Sequence, residues 1–253
     1  MQPISLDHHG HTLRGWQLGS VGRGRPTALL VHGFGSTDTG GQQLFVQTAR
    51  RLADHGAAVR SYSRLGHGTS DGDFADITIS DEVEQVVAMI RALAADTAGP
   101  VHVVAHSLGA VESALAAARV PELVATLTLW SPAGVVVDDI AVEDEIQGQP
   151  LAPARTHGYF DFGGMALGMP FIDEVTAGLD VYAGIDRYTG PADVLHGTAD
   201  QIVPLSYGER YGRELPGATF TPVEDADHGW SSVPLRHLLT ERLLTSTGLV
   251  DGS

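Results

Sequence analysis

Short apolar runs alternate with helical periodicities along most of the chain. Ala28-Leu29-Leu30-Val31, Val101 to Ala105, Val124 to Trp130 and Val194-Leu195 are largely apolar and close on Gly, Ser or Pro, as strands buried on both faces do. A helix is predicted over about Asp81 to Ala95, where Val83, Val86, Val87, Ile90, Leu93 and Ala94 recur at i, i+3, i+4 spacing behind a Ser80/Asp81 cap. Strand and helix in alternation predict an α/β protein with a mostly parallel sheet covered on both faces. Ile4-Ser5-Leu6 and Thr12 to Leu18 read as an antiparallel hairpin added at one edge. From about Ala133 to Arg187 the rhythm breaks: an acidic run is followed by a segment rich in Gly, Met and Phe. Connections in such sheets usually take ~2–6 residues, so about 133–187 is expected to form an inserted lid.

Composition narrows the chemistry. With 253 residues, 43% hydrophobic and 18% charged, the chain suits one domain over 1–253. It has no cysteine, and all 15 of its basic residues are arginine. Disulfides, thiolate nucleophiles, Cys-ligated zinc and lysine Schiff bases are therefore excluded. A formal charge of −16 argues against nucleic-acid and anionic-membrane partners. MQPISLDHHGH lacks the basic end and apolar run of a secretory signal, and no stretch reaches the ~18 apolar residues of a membrane span. A soluble, cytoplasmic protein is expected.

The decisive segment is Val101 to Ala110, an apolar strand that runs into Ala105-His106-Ser107-Leu108-Gly109, a near match to G-x-S-x-G with Ala105 in the first glycine position. A serine on a sharp strand-to-helix turn is held in a strained backbone conformation, and small residues at −2 and +2 let neighbouring chain approach. That turn would aim the Leu108 N–H at an oxygen gaining negative charge. His32-Gly33-Phe34-Gly35 follows another strand and would offer the Phe34 N–H as a second oxyanion donor. Asp200 lies just past a strand end, and His228 lies on a loop after a predicted strand over Ala218 to Val223. The order Ser, Asp, His, at separations of 93 and then 28 positions, is that of the α/β-hydrolase triad.

The chain resembles an α/β-hydrolase over nearly its whole length, and within that superfamily it is similar to the bacterial cinnamoyl/feruloyl esterase group. Gly66-His67-Gly68-Thr69-Ser70-Asp71-Gly72, Trp130-Ser131-Pro132-Ala133 and His196 to Pro204 carry the resemblance beyond the triad; Ala105, Ser63 and Leu65 depart from it. It implies the α/β-hydrolase fold with a mostly parallel eight-stranded sheet and an inserted lid. It also implies a serine carboxylesterase acting on hydroxycinnamate or short-chain acyl esters, with Ser107, Asp200 and His228 catalytic and Phe34 and Leu108 forming the oxyanion hole. In the resembled esterases the lid contacts the aromatic acyl group and its ring hydroxyl. Here that stretch supplies Asp138, Asp139, Gln147, Tyr159 and Tyr182 as polar candidates.

Competing chemistry is weaker. Asp225 and Asp227 sit too near His228 in sequence to orient it easily, which favours Asp200 as the acid. His8, His9 and His11 lack a fixed carboxylate partner, Asp71-Gly72-Asp73 misses the glycine of a calcium loop, and Gly19, Gly22 and Gly24 do not form a dinucleotide fingerprint. No metal and no organic cofactor are expected. A peptidase or acyl-aminoacyl hydrolase, a thioesterase or acyltransferase, and a ligand receptor with an intact triad remain alternatives. A small-molecule ester is the expected partner, with monomer and homodimer both open.

Overall fold

The computed structural model of the protein describes residues 1–249, so positions 250–253 of the expected domain lie outside the described residues. β1 (Gln2–His8) and β2 (His11–Leu18) form the expected antiparallel hairpin, turning through His9 and Gly10 at positive φ. Strand and helix then alternate: β3 (Thr27–Val31), α1 (Leu44–Asp54), β4 (Ala58–Tyr62), α2 (Ile79–Thr97), β5 (Val101–His106), α3 (Leu108–Arg119) and β6 (Val124–Trp130). Residues 131–191 carry only short pieces. They are α4 (Val136–Asp138) running into a π turn over Asp139–Glu143, β7 (Glu145–Ile146), β8 (Gln149–Pro150), α5 (Ala152–His157), β9 (Tyr159–Phe162), β10 (Met165–Gly168), α6 (Met169–Thr176) and a 3-10 turn over Ile185–Arg187. β11 (Ala192–Gly197), α7 (Leu205–Glu214), β12 (Ala218–Val223) and α8 (Val233–Ser246) complete the order.

Eight strands form one sheet in the order β1-β2-β4-β3-β5-β6-β11-β12. β2 pairs antiparallel with β1 and β4, and every other neighbour is parallel. This is the helix-flanked, mostly parallel sheet that the alternation predicts. Its strands bury both faces because successive side chains point to opposite sides. Leu29, Val31, Val103 and Leu129 pack with α2, α3 and α7, whereas Ala28, Leu30, Val104 and Trp130 pack with α1 and α8.

One expectation is refined. Helix α2 starts earlier than Asp81: Thr78 is the cap, its hydroxyl accepting from the Asp81 N–H at 3.2 Å, so the Ser80/Asp81 cap is displaced. Within residues 133–187, Ile140, Ile146, Leu151, Phe171, Ile172 and Val181 belong to the same buried cluster as Val103 and Leu127 of the sheet. Each such side chain contributes roughly 1.5–3 kcal/mol on burial. The insertion and the sheet therefore share one core.

Candidate active site

β5 delivers Ser107 to the carboxyl end of the sheet and α3 begins at the next residue. Between them the chain turns so sharply that Ser107 holds φ 58°, ψ −126°. Such a conformation costs on the order of 1–3 kcal/mol and persists only where packing enforces it. Here a Cβ at Gly109 would meet the His32 carbonyl oxygen at 2.1 Å, so nothing larger than glycine fits. Ala105 fits at the other small position, fully buried. The Ser107 N–H donates to the Trp130 carbonyl at 2.9 Å, tying the turn to β6.

Asp200 follows β11, and its side chain is inaccessible to solvent. Its Oδ1 accepts from the N–H groups of Ile202 at 2.9 Å and Val203 at 2.8 Å, and its Oδ2 accepts from His228 Nδ1 at 2.8 Å. Burial alone would raise this carboxyl, but hydrogen bonds from His196, His228 and the Val203 N–H outweigh it and hold Asp200 far below the usual carboxylate range. With Nδ1 donating to Asp200, His228 presents a free Nε2 lone pair to Ser107 Oγ, 3.0 Å away. His106 Nε2 donates to the His228 carbonyl at 2.8 Å and steadies the loop. Burial, then the nearby His228, brings His106 down to about 3, so that ring is neutral. Of the rival acids, Asp227 accepts from the Ser231 N–H at 2.7 Å, and the Asp225 N–H donates to Thr198 Oγ1 at 3.0 Å.

The two expected oxyanion donors flank the serine. Leu108 opens α3, so its N–H belongs to the unpaired first turn of a helix, where negative charge is favoured. Gly33 lies so close that a Cβ there would sit 2.8 Å from Ser107 Cβ, and Phe34 follows it. Phe34, Ser107 and Leu108 line one cleft of about 460 Å³, counting its solvent-open part. Val135, Val136, Ile140, Ile146, Phe171, Ile202 and Val203 supply its apolar wall.

The five polar candidates of the insertion separate. Asp139 and Gln147 line the cleft and touch each other, the Gln147 N–H donating to Asp139 Oδ2 at 3.5 Å. Burial raises the Asp139 carboxyl despite that bond, and Glu145, Asp138 and Glu143 add to the rise. Asp138 instead accepts from the Tyr207 hydroxyl on α7. Tyr182 packs against Tyr211 and under the Arg210 guanidinium, and Tyr159 is 45% exposed on β9. None of these three lines the cleft. Sequence reasoning missed the wall residues Ile202 and Val203, signalled only by their place beside Asp200. It also missed Arg64, which grips the carbonyls of the Phe34 turn; the signal was Glu112, a lone charge in the otherwise apolar first turns of α3.

Comparison with known proteins follows the same lines. Est1E from Butyrivibrio proteoclasticus, solved with ferulic acid bound, superposes with a TM-score of 0.83 at 21% identity, covering 97% of this chain and 99% of that one. Alpha/beta hydrolase domain-containing protein 10 from mouse gives 0.77 at 22% identity, covering 96% and 97%. A monoacylglycerol lipase from Paleococcus ferrophilus gives 0.67 at 18% identity, covering 92% and 99%. No curated protein sequence matches the chain. At these identities the structures speak for the fold. The sequence itself matches the alpha/beta hydrolase family over residues 28–237, and the chain belongs to that family.

Proposed function

We propose that the protein is a serine carboxylesterase working through an acyl-enzyme. The observation that carries this reading is the unbroken hydrogen-bonded chain from Asp200 through His228 to Ser107 on a strained turn. His228 takes the Ser107 proton as Oγ bonds to the ester carbonyl carbon, and the carbonyl oxygen becomes an oxyanion facing the Phe34 and Leu108 N–H groups. Collapse breaks the ester C–O bond, and the alcohol leaves with the proton from His228. Water then repeats the sequence and frees the acid. Asp200 stays ionised and stabilises the imidazolium.

For the acyl group we propose a hydroxylated aromatic acid of the hydroxycinnamate type, with the insertion acting as a lid over it. Supporting this are an apolar cleft wall interrupted by Asp139 and Gln147, and the likeness to Est1E, which binds ferulic acid. A carboxyl among apolar walls suits a phenolic hydroxyl. The test is a panel of p-nitrophenyl esters beside methyl ferulate and methyl p-coumarate, with fluorophosphonate labelling. Ser107→Ala should lower kcat by on the order of 10⁴–10⁶ and abolish labelling in a folded protein. Stoichiometric labelling of that variant would place the nucleophile elsewhere.

A further inference from the structure

Behind the turn that carries Phe34 lies a charge cluster with no solvent access. The side chains of Arg64, after β4, Glu82, in the first turn of α2, and Glu112, in α3, are all fully buried. Arg64 Nε lies 2.7 Å from Glu82 Oε1 and 3.3 Å from Glu112 Oε2. Its Nη1 donates to the His32 carbonyl at 2.6 Å and its Nη2 reaches the Gly33 carbonyl at 3.4 Å. The Gly33 carbonyl also accepts from His32 Nδ1 at 2.8 Å and the Ser36 N–H at 3.3 Å, while His32 Nε2 accepts from the Arg64 N–H at 3.1 Å. Burial drives Glu112 well up, with the Glu82 charge adding to it. At Glu82 burial acts the same way but Arg64 and His67 outweigh it. The two carboxyls are thus pushed in opposite directions, Glu112 toward its protonated form and Glu82 toward its charged form beside Arg64.

Apolar side chains of similar size would fill this space at lower cost, because buried ions forfeit hydration. What the ions add is a grip on two particular carbonyls. We propose that Arg64 is a positioning residue for the oxyanion-binding turn: it holds the His32 and Gly33 carbonyls from behind, and so aims and polarises the Phe34 N–H toward the oxygen that gains charge as Ser107 attacks. Glu82 and Glu112 fix the guanidinium in that place. A trans peptide sets its C=O and N–H on opposite sides of the C–N bond, so anchoring the Gly33 oxygen settles where the Phe34 N–H points. A cation at the oxygen also draws electrons through the amide and makes that N–H a stronger donor, without reorganisation during the reaction. The inference rests on the esterase reading of Ser107.

The test separates grip from support. Arg64→Met alone strands Glu82 as an unpaired buried charge, so the informative protein is the triple variant Arg64→Met/Glu82→Gln/Glu112→Leu, which removes every charge together. The expected result is a folded protein with a melting temperature near that of the parent. Its kcat on p-nitrophenyl butyrate should fall roughly 10- to 100-fold with KM within about 2-fold, less than complete removal of an oxyanion donor would cause. A boronic acid that forms a tetrahedral adduct on Ser107 should lose affinity by the same factor. A folded triple variant with the parent's kcat and boronate affinity overturns the proposal and leaves a structural ion cluster. If the triple variant does not fold, Glu82→Gln decides, since it keeps Arg64 and the side-chain volumes. A several-fold loss in kcat at unchanged KM supports the grip, and parental kcat overturns it. Failure of the unmodified protein to hydrolyse esters or be labelled at Ser107 overturns the esterase reading and this inference with it.

Discussion

Three histidines, His106, His196 and His228, touch the hydrogen-bonded chain from Asp200 to Ser107, and their second contacts separate their roles. His106 spends Nε2 on the His228 carbonyl, and His196 shares Nε2 between the Val203 carbonyl at 2.9 Å and Asp200 Oδ2 at 3.3 Å, with no reach to the serine. His228 alone among them joins a carboxylate on one ring nitrogen to the serine on the other. Replacing His228 by Ala should therefore lower kcat by at least about 10³-fold in a folded protein. His102→Ala should leave kcat within about 2-fold and cost ~1 kcal/mol, because His102 only bonds Thr126 Oγ1 in the neighbouring strand. Urea titration and initial rates on both variants decide it; the reverse pattern would make His102 the base. The grouping of Ser107, Asp200 and His228 is legible in the sequence because the turn around Ser107 needs small residues at fixed offsets, and because Asp200 and His228 follow strand ends in a set order. Arg64 was not, since its partners on α2 and α3 meet it only after the sheet has closed.

At the scale of elements, legibility follows periodicity. Strands such as β6 and β12 fall where the apolar runs put them, because each needs only a local alternation or a buried run to be recognised. The insertion has no such period: its pieces are two to eight residues long and take their places from the core they share with the sheet. Sequence therefore supplied five polar candidates there without ranking them, and the fold brings Asp139 and Gln147 to the cleft. The shared core also makes excision of the insertion a poor probe, whereas point changes leave the packing intact. Asp139→Ala should lower kcat/KM for methyl ferulate by roughly 10- to 100-fold, the worth of a hydrogen bond to a charged group, while p-nitrophenyl acetate is affected less than about 3-fold. Tyr159→Phe, exposed on β9, should change neither. Equal losses on both substrates from Asp139→Ala would assign it to the shape of the cleft and not to the choice of acyl group.

Over the whole molecule, burial sets a pH dependence of stability. Burial holds His32, His67, His102 and His106 below the ordinary imidazole range, so each stays neutral in the fold. Once unfolded they take up protons below about pH 6.5, and stability must fall as pH drops through that value, by up to ~1.4 kcal/mol per pH unit for each proton. Asp200 acts in the same direction at lower pH: its carboxyl is depressed, and its contribution is lost as pH falls below the ordinary carboxylate range. Glu112 acts oppositely, keeping a proton in the fold that the unfolded chain releases above about pH 4.5, and offsets part of the slope. The urea midpoint should thus drop clearly between pH 7 and pH 5, and the His102→Gln variant should show a shallower drop. A midpoint that is flat or higher at pH 5 would mean that these imidazoles are charged in the fold. Among the described residues no helix is long and apolar enough to cross a membrane.

The order of strands in the sheet also has a consequence for biosynthesis. Ser107 and the Phe34 turn come from β5 and β3, in the middle of the sheet, whereas Asp200 and His228 follow β11 and β12, the last two strands of this sheet to leave the ribosome, which lie at one of its edges. On the proposed mechanism, until that edge is laid down a nascent chain carries the Ser107 turn without His228 to activate it. The unfinished enzyme is therefore chemically silent, and the appearance of activity during translation would time the docking of β12 and α8.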